Sequence, residues 1–441
     1  MQEQQSSDNV RRVPRAVRPF LRGQYRLLVG ALSFSLFGGG VWLVAVVFQV
    51  IRLGGGPTEL SYVALAASLG LVGAVLVGGV VADRVPQRNI MLVVESVKVV
   101  GTGAAATLAM LDVIQVWHLA VVALILGIVD GFFYPAYSAL LPSILPADDL
   151  LAANGVEGVL RPAVMQAAGP AAASLAIGIH SPALAFVVVA GASACAAVWL
   201  ALMKPTPVRR EPDAEKQHPL RVLFVDLRGG FLYMVGTPWL LGSLIFACLL
   251  VLVIMGPIEV LLPFAVTNQT GGGPGAFALA LAAFGGGAAV GSMAVASLPL
   301  PRRYLTIMLA AWGAGSIPLA VIGFTSLLWV MVIALFMVGF TFSAGGVIWG
   351  TLLQRRVPPA LLGRVSSLDF FVSLALMPVS MALAGPVGEG LGIPITFVIA
   401  GLVPMVVAAL AIVIFRMPKD ELDHPLDPQI EQAEPGAPFT P

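Results

Sequence analysis

Acidic side chains occur inside long apolar stretches of this sequence, where ionisable groups are least expected. Six acids lie there: Glu95, Asp130, Glu157, Glu259, Asp369 and Glu389. If those stretches cross a membrane, a charge at a helix centre costs roughly 2.5 to 3.5 kcal/mol on insertion scales. Each acid must therefore face protein or water, and it needs either a cationic partner or a bound proton. Groups of this kind can take up and release protons.

Asp130 and Arg161 are candidates for a deep ion pair. Asp130 lies about ten residues before the end of one apolar stretch and Arg161 about eight residues into the next, so their depths are nearly equal at about 1.5 Å per residue. Glu157 lies one turn from Arg161 on the same helix face and is a second candidate partner. A permanent pair would hold two helices together, whereas a switching pair would release Arg161 when Asp130 is protonated or substrate binds. The pattern leaves both open.

Glu259 stands apart from the other acids because its own apolar stretch contains no basic residue. It follows Gly256 and Pro257 in the outer half of that stretch. Such an acid can bind a proton or a cationic group. The alternative is a solvated acid at the external mouth of the protein.

The other three acids favour structural or surface positions. Glu95 is three residues from Lys98, a spacing that predicts a neutralising pair on one helix face. Asp369 occupies a position equivalent to that of Glu157 in an internal repeat, which favours a structural role. Glu389 is predicted to be solvated near the outer end of its helix.

The composition identifies a polytopic membrane protein. Hydrophobic residues make up 58% and charged residues 11% of the 441 residues, and the mean hydropathy is +0.95. An ordinary soluble domain carries about 25% charged residues. The two cysteines, Cys195 and Cys248, stand alone in apolar stretches, so neither a disulfide framework nor a metal site is predicted.

Motifs for other functions are missing from the sequence. There is no G-x-x-x-x-G-K-S/T phosphate loop, no G-x-S-x-G or H-E-x-x-H motif, and no basic patch with interleaved aromatic residues. We therefore expect no ATP-driven pump, no enzyme, no cofactor and no nucleic-acid partner.

Twelve apolar stretches are long enough to span a bilayer, which needs about 20 residues for each helix. Most of the 24 lysine and arginine residues fall on one side when the N-terminus is placed inside. Both termini are therefore expected in the cytoplasm, with the protein in the plasma (inner) membrane. The predicted spans are 28–51, 60–82, 89–111, 117–141, 154–178, 182–203, 238–266, 275–298, 304–324, 327–350, 365–390 and 393–415.

The chain divides into five predicted segments around one long polar interruption. They are a basic cytoplasmic segment 1–27, a six-helix bundle 28–203, a cytoplasmic linker 204–236, a second six-helix bundle 237–416 and a disordered cytoplasmic tail 417–441.

An internal repeat supports the same division. Three features recur at nearly one spacing: Pro146 with Pro358, Gly169-Pro170 with Gly385-Pro386, and Gly78 with Gly291. The sequence thus predicts an all-α membrane protein with 12 transmembrane helices in two six-helix bundles related by pseudo-two-fold symmetry.

The loop after the second stretch, "GGVVADRVPQR", resembles the major facilitator superfamily signature G-x-x-x-D-R-x-G-R-R. Gly79, Asp83, Arg84 and Arg88 match, while Pro86 and Gln87 depart from it. The stretches "WHLAVVALILGIVDGFFYPAYSALLPSILPADDLLAANGV" and "LQRRVPPALLGRVSSL" are similar to the branch that contains macrolide efflux pumps and the enterobactin exporter. Gly169 and Pro170 are similar to the antiporter Gly-Pro signature.

The resemblance implies a conformational latch on the cytoplasmic side. In the superfamily, the Asp of this loop meets the inner end of span 11 and holds the outward-open state. The implied latch consists of Gly79, Asp83, Arg84 and Arg88, together with Arg364 near span 11.

The resemblance also implies a central cavity lined by spans 1, 4, 7 and 10, which would contain Asp130 and Glu259. These two acids, with Arg161 and Glu157, are the candidates for proton coupling. The residues that could line the cavity for an amphipathic substrate are Phe34, Phe37, Trp42, Gln49, Phe133 and Trp349.

The function expected from this reasoning is proton-coupled efflux of amphipathic small molecules, such as drugs or antibiotics, by alternating access. The direction comes from the resemblance. Two alternatives remain: export of a siderophore, lipid or other endogenous metabolite, and a non-transporting sensor or scaffold on a transporter fold. The expected partners are a small-molecule substrate, protons and membrane lipids, and the protein is expected to be a monomer.

Overall fold

The computed structural model describes residues 15–82, 84–205 and 229–426. In these ranges the chain consists of helices joined by short loops and contains no strand. Asp83, most of the predicted linker 204–236 and the ends of the chain lie outside the described residues.

Within the described residues, twelve helices are long and apolar enough to cross a membrane, and we number them α1 to α12. The predicted all-α membrane fold with twelve spans is thereby confirmed. Most predicted boundaries lie within a few residues of the observed ones. The helices are α1 Gly23–Arg52, α2 Pro57–Gly79, α3 Gln87–Met110, α4 Val116–Ile144, α5 Ala152–Ile179, α6 Pro182–Ala201, α7 Pro238–Thr270, α8 Pro274–Ala296, α9 Tyr304–Ile322, α10 Leu328–Arg356, α11 Leu368–Gly390 and α12 Ile393–Ile414.

Proline and glycine set several helix boundaries. Pro57, Pro182, Pro238 and Pro274 begin helices, where the missing N–H costs nothing because the first turn has no acceptor for it. Gly271 follows α7 with φ +67°, a left-handed conformation that glycine adopts without strain.

Two spans contain π-helical turns. Arg161–Ala168 forms one in α5, and Pro257–Leu261 forms one in α7. Each begins beside a proline, Pro162 or Pro257, which cannot donate the regular backbone hydrogen bond. A wider turn accommodates the missing bond. Both turns contain a charged residue that the sequence marked for proton coupling.

The repeat is visible as equivalent close contacts in the first and last six helices. In the first six, α2 packs along α4, and Gly78 lies against the backbone of Gly131. In the last six, α8 packs along α10, and Gly291 lies against the carbonyl of Phe340. A side chain at either glycine would collide with the facing backbone, so small residues permit both approaches. The two sets meet mainly through α2 with α11 and α5 with α8.

The first residues of the segment predicted to be a disordered tail are helical instead. Met417–Asp423 forms a short helix, α13, beside α9 and α12. Its Glu421 is only 1% exposed and accepts hydrogen bonds from the backbone N–H groups of Leu305 and Thr306 at 2.9 and 3.1 Å. The first turn of a helix has free N–H donors that favour an anion. A composition rich in acids and prolines does not reveal such a contact.

Candidate functional site

A lysine between two carboxylates forms the most strongly charged cluster inside the first six helices. Lys98 Nζ of α3 lies 2.6 Å from Asp130 Oδ1 of α4 and 3.6 Å from Glu95 Oε1 of its own helix. The hydroxyl of Ser35 of α1 donates to Glu95 Oε1 at 2.6 Å. The cluster therefore joins three helices, and the predicted pair of Glu95 with Lys98 is present within it.

The partner of Asp130 differs from the expected one. Asp130 pairs with Lys98, and no ion pair with Arg161 forms among the described residues. The reason is packing: α3 lies along α4, whereas α5 meets α4 only weakly. Equal depth on sequential helices does not determine which helix is the closer neighbour.

The three charged side chains of this cluster differ in how far they are buried. The side chain of Glu95 is fully buried, that of Lys98 is 14% exposed, and that of Asp130 is 49% exposed. Lys98 also lies over the ring of Phe133, 5.2 Å from its centroid. One ammonium thus neutralises a buried acid and a half-exposed one.

Arg161 belongs to a second pair within α5. Its Nη2 donates to Glu157 Oε1 at 2.9 Å, so Arg161 has the second of its two predicted partners. The guanidinium lies over the ring of Tyr134 at 5.7 Å, and its side chain is 41% exposed. Tyr134 in turn stacks on Phe370 of α11 with a centroid distance of 6.4 Å. The pair is therefore adjacent to a contact between the two sets of helices.

Two acids inside the spans of the last six helices, Glu259 and Asp369, lack basic partners among the described residues. Glu259 is exposed on the π-helical turn of α7, which packs against α2 and α11. Within the described ranges it makes no hydrogen bond or ion pair. Asp369 accepts hydrogen bonds from Trp349 Nε1 at 3.1 Å and from the hydroxyl of Ser373 at 3.3 Å. Neutral donors thus stabilise Asp369, while Glu259 has none.

The candidate cavity residues occupy different surroundings. Phe34 and Trp42 of α1 pack against Trp199 and Phe186 of α6, with centroids 6.3 and 5.4 Å apart. Phe37 is half-buried, and Gln49 is only 3% exposed.

Two of the cavity candidates lie beside acids. Phe133 lies beneath the ammonium of Lys98, which pairs with two carboxylates, and Trp349 donates to Asp369. Trp349 also contacts Trp239 and Trp312, which form an aromatic cluster in the last six helices. Substrate binding by any of these residues stays a prediction.

The predicted cytoplasmic latch is described only in part. Asp83 and the side chain of Arg364 lie outside the described residues. Gly79 has open space beside it, and Arg84 is exposed. Arg88 donates through Nε and Nη2 to the carbonyls of Leu200 and Ala201 at 2.8 and 2.6 Å. It therefore binds the free carbonyls at the end of α6, within the first six helices.

The Gly-Pro pair of α5 marks a close helix approach. An added Cβ at Gly169 would lie 2.7 Å from the Cα of Gly40 in α1. Only glycine allows this distance. Gly169 and Pro170 directly follow the π-helical turn, so an irregular and a tightly packed segment adjoin one another.

A group of polar contacts that the sequence did not predict lies where α2 begins and α11 ends. This end of the helices is opposite to the predicted latch, and we call it the far side. Glu389 accepts hydrogen bonds from the backbone N–H and the hydroxyl of Thr58 at 3.1 and 2.8 Å. The N–H of Gly385 donates to Ser61 Oγ at 2.7 Å. Glu389 is exposed, as expected, but it is also bonded across the bundle. No local pattern pairs residues 331 positions apart.

A family comparison determines what kind of protein this is. The profile of the transmembrane secretion effector family, within the major facilitator superfamily, matches residues 15–435. The chain belongs to this family. It is a major facilitator superfamily transporter and a multi-pass membrane protein, so the predicted resemblance is confirmed.

Two of the similar relatives are efflux proteins. The transporter is 25% identical to the multidrug efflux pump Tap of Mycolicibacterium fortuitum over 406 residues, which cover 90% of this chain and 97% of that protein. It is 22% identical to macrolide efflux protein A of Streptococcus pyogenes, over 88% of this chain and 95% of that protein.

Solved structures of transporters share the fold. The nucleoside transporter NupG aligns with a TM-score of 0.66 at 14% identity, covering 88% of this chain and 99% of that one. A POT family transporter in complex with a thioalcohol conjugated peptide aligns with a TM-score of 0.64 at 16% identity, covering 89% and 95%. At these identities the likeness extends to the fold alone.

Proposed function

We propose that this transporter exports amphipathic small molecules in exchange for protons by alternating access. The observation that carries the proposal is the half-exposed carboxylate of Asp130, held 2.6 Å from the mostly buried ammonium of Lys98. An accessible acid in contact with a buried base inside a membrane bundle can couple a proton to a rearrangement. The efflux relatives support the direction of transport.

Protonation of Asp130 would change the packing of α3 and α4. The ionised carboxylate attracts Lys98 across the helix boundary, whereas the neutral acid offers only a weaker, uncharged acceptor. Lys98 would then pair with Glu95 alone, now 3.6 Å away, without becoming an unpaired buried charge. The contact between α3 and α4 would weaken while the buried charges stay balanced.

Glu259 supplies a second accessible acid with no partner among the described residues. In this proposal it binds either a proton or the cationic group of a substrate, because both stabilise a carboxylate at membrane depth that has no basic partner. Trp349 and Phe133 are the aromatic candidates nearest to polar groups, and they would contact the apolar part of the substrate.

The proposal also includes the membrane topology of the two bundles and the side of the membrane on which the remaining segments lie. Segments 28–203 and 237–416 form the two bundles that move against each other in the plasma membrane. The N-terminal segment, the linker 204–236 and the chain after 417 lie in the cytoplasm. Arg84 is exposed at that surface and can meet lipid phosphates, and the transporter acts as a monomer.

The deciding experiment measures proton flux in liposomes that contain the purified transporter. A pH gradient is imposed, and the cationic dye ethidium or a macrolide is added. Wild type should show substrate-dependent proton flux, and Asp130→Asn should abolish it. The matched control is Asp112→Asn, because Asp112 is an exposed acid paired with Arg52 outside the membrane core. Normal flux in Asp130→Asn at equal protein content would refute the proposal.

A second candidate function is export of an anionic endogenous metabolite. The observation that favours it is the 41% exposed side chain of Arg161, which lies over the ring of Tyr134. This arrangement can bind a carboxylate or phosphate beside a flat apolar group. Competition by anionic rather than cationic compounds would favour it. Failure of every compound class to move protons would instead favour a sensor or scaffold.

A further inference from the structure

The polar contacts at the far side of the bundle link the first six helices to the last six. We call Thr58, Ser61, Gly385 and Glu389 the α2–α11 joint. Both oxygens of the Glu389 carboxylate are engaged, one by the N–H and one by the hydroxyl of Thr58. All three hydrogen bonds of the joint run from one set of helices to the other.

The joint is closed by backbone contact as well as by hydrogen bonds. A Cβ added at Gly385 would lie 2.5 Å from the carbonyl oxygen of Pro57 and 2.6 Å from Ser61 Oγ. The backbones of α2 and α11 therefore approach each other closely at this level. Opening the bundle on this side requires these contacts to separate, because α2 and α11 belong to different sets of helices.

The charge of Glu389 is central to the joint. Its carboxylate lies at the first turn of α2, where free N–H groups and the helix dipole favour an anion. Hydrogen bonds to an ionised carboxylate are also stronger than bonds to a neutral acid. Protonation would remove the charge and place a donor O–H among donors.

The groups that face Glu389 provide no basic side chain. Glu59 in the same turn of α2 accepts the N–H of Gly56 at 2.7 Å, and Gly56 lies between the two acids. The π-helical turn of α7, which packs against α11, contributes Glu259, and α12 contributes no charged residue. The remaining titratable groups on the packed helices are Tyr62 and Cys248. Within the described ranges, only the hydrogen-bond donors of α2 stabilise the Glu389 anion.

We propose that Glu389 is a charge-dependent latch that holds the far side of the transporter closed. The ionised carboxylate binds the start of α2 and keeps the two bundles together there. A proton arriving from that side neutralises the carboxylate, the joint weakens, and the far side opens. The inference rests on the proposed alternating access, with the far side as the external one, and assigns external protons a gating role separate from that of Asp130.

The test is a distance measurement across the joint in the full-length transporter in lipid nanodiscs. Spin labels are attached through Leu53→Cys and Leu391→Cys, which are exposed at the far ends of α1 and α11, in a Cys195→Ala, Cys248→Ala background. At pH 7 the short distance should dominate in wild type. At pH 4 the ratio of long to short distances should rise about twofold.

Two variants separate charge from the remaining contacts. Glu389→Gln should show the raised ratio already at pH 7 and should lose the response to pH. Thr58→Val, which keeps the backbone donor and removes the hydroxyl, should raise the ratio less. The matched control Asp112→Asn removes an exposed acid of the same side, bonded within the first six helices, and should behave as wild type.

Either of two results would overturn the latch: a Glu389→Gln protein that keeps the wild-type distances and pH response, or a wild type whose distances do not change at pH 4. The measurement contains no substrate and no proton gradient. A closed-to-open change can therefore be observed even if proton-coupled export fails, and export can succeed without it.

Discussion

The first six and the last six helices treat buried charge differently. In the first six, each basic residue deep in a span has an acid within reach: Lys98 has Glu95 and Asp130, and Arg161 has Glu157. In the last six, Glu259 and Asp369 have no basic partner among the described residues. The first set can exchange partners while its charges stay balanced. The acids inside the spans of the second set depend on water, neutral donors, a proton or a substrate, and the ion pair described in this half, Arg356 with Asp420, lies at the end of α10.

The substitution expected to have the largest effect on this contrast is Lys98→Met. It leaves the fully buried Glu95 without its cation, and removing one member of a buried pair costs about 3 to 5 kcal/mol. We expect a marked loss of folded protein and of thermal stability, measured by unfolding in detergent. The double variant Glu95→Gln, Lys98→Met should recover much of the loss. Stability equal to wild type in Lys98→Met would show that the first set is not held together by its charge pairs.

The next test is Glu421→Gln. Among the described residues, Glu421 is a buried acid that is stabilised by hydrogen-bond donors and not by a basic side chain. Its carboxylate accepts two backbone N–H groups of α9 and the hydroxyl of Thr306. Hydrogen bonds to charged groups contribute about 1.5 to 3 kcal/mol, and we expect a loss in that range in the same unfolding assay. The control is Glu59→Gln, because Glu59 accepts only one backbone N–H, that of Gly56, among the described hydrogen bonds. This variant should lose less stability than Glu421→Gln. An unchanged melting temperature in Glu421→Gln would mean that the neutral amide caps α9 equally well.

A third test is Glu259→Gln, where the contrast predicts an effect on transport without one on stability. The side chain has no partner to lose within the described ranges, so the melting temperature should equal that of wild type. Efflux of a cationic dye should fall by roughly tenfold, about 1.4 kcal/mol, because the charge available to a proton or cation is gone. Glu259→Asp keeps the charge and should retain part of the activity. Full efflux in Glu259→Gln would make this acid a surface group.

The smallest expected effect belongs to Asp369→Asn. The amide oxygen can still accept from Trp349 Nε1, so the cost should be about 1 kcal/mol or less. Efflux should be retained. A loss of efflux as large as that of Glu259→Gln would place Asp369 in the coupling machinery and remove the difference between the two acids.

The sequence predicted local features well and pairings poorly. Lys98 was predicted to pair with Glu95 because the two residues share one helix face three positions apart, and that pair is present. The same spacing argument predicted Glu157 beside Arg161. The Asp130 pairing was wrong because it depends on which helices pack side by side. Glu389 was assigned to solvent because it lies near the outer end of its helix; it is exposed, but its bond to Thr58, 331 positions away, was not predicted.

The sequence by itself determined that this chain has twelve apolar spans and an internal repeat. Both follow from local properties of the chain, namely hydropathy and the spacing of glycine and proline. The sequence also determined which residues carry charge at membrane depth. Only the tertiary structure decided which of those charges meet, which glycine faces which backbone, and that Glu421 and Glu389 cap distant helices. The physical reason is that ion pairs and caps need contact within a few ångströms, and helix packing alone brings residues far apart in sequence to that distance.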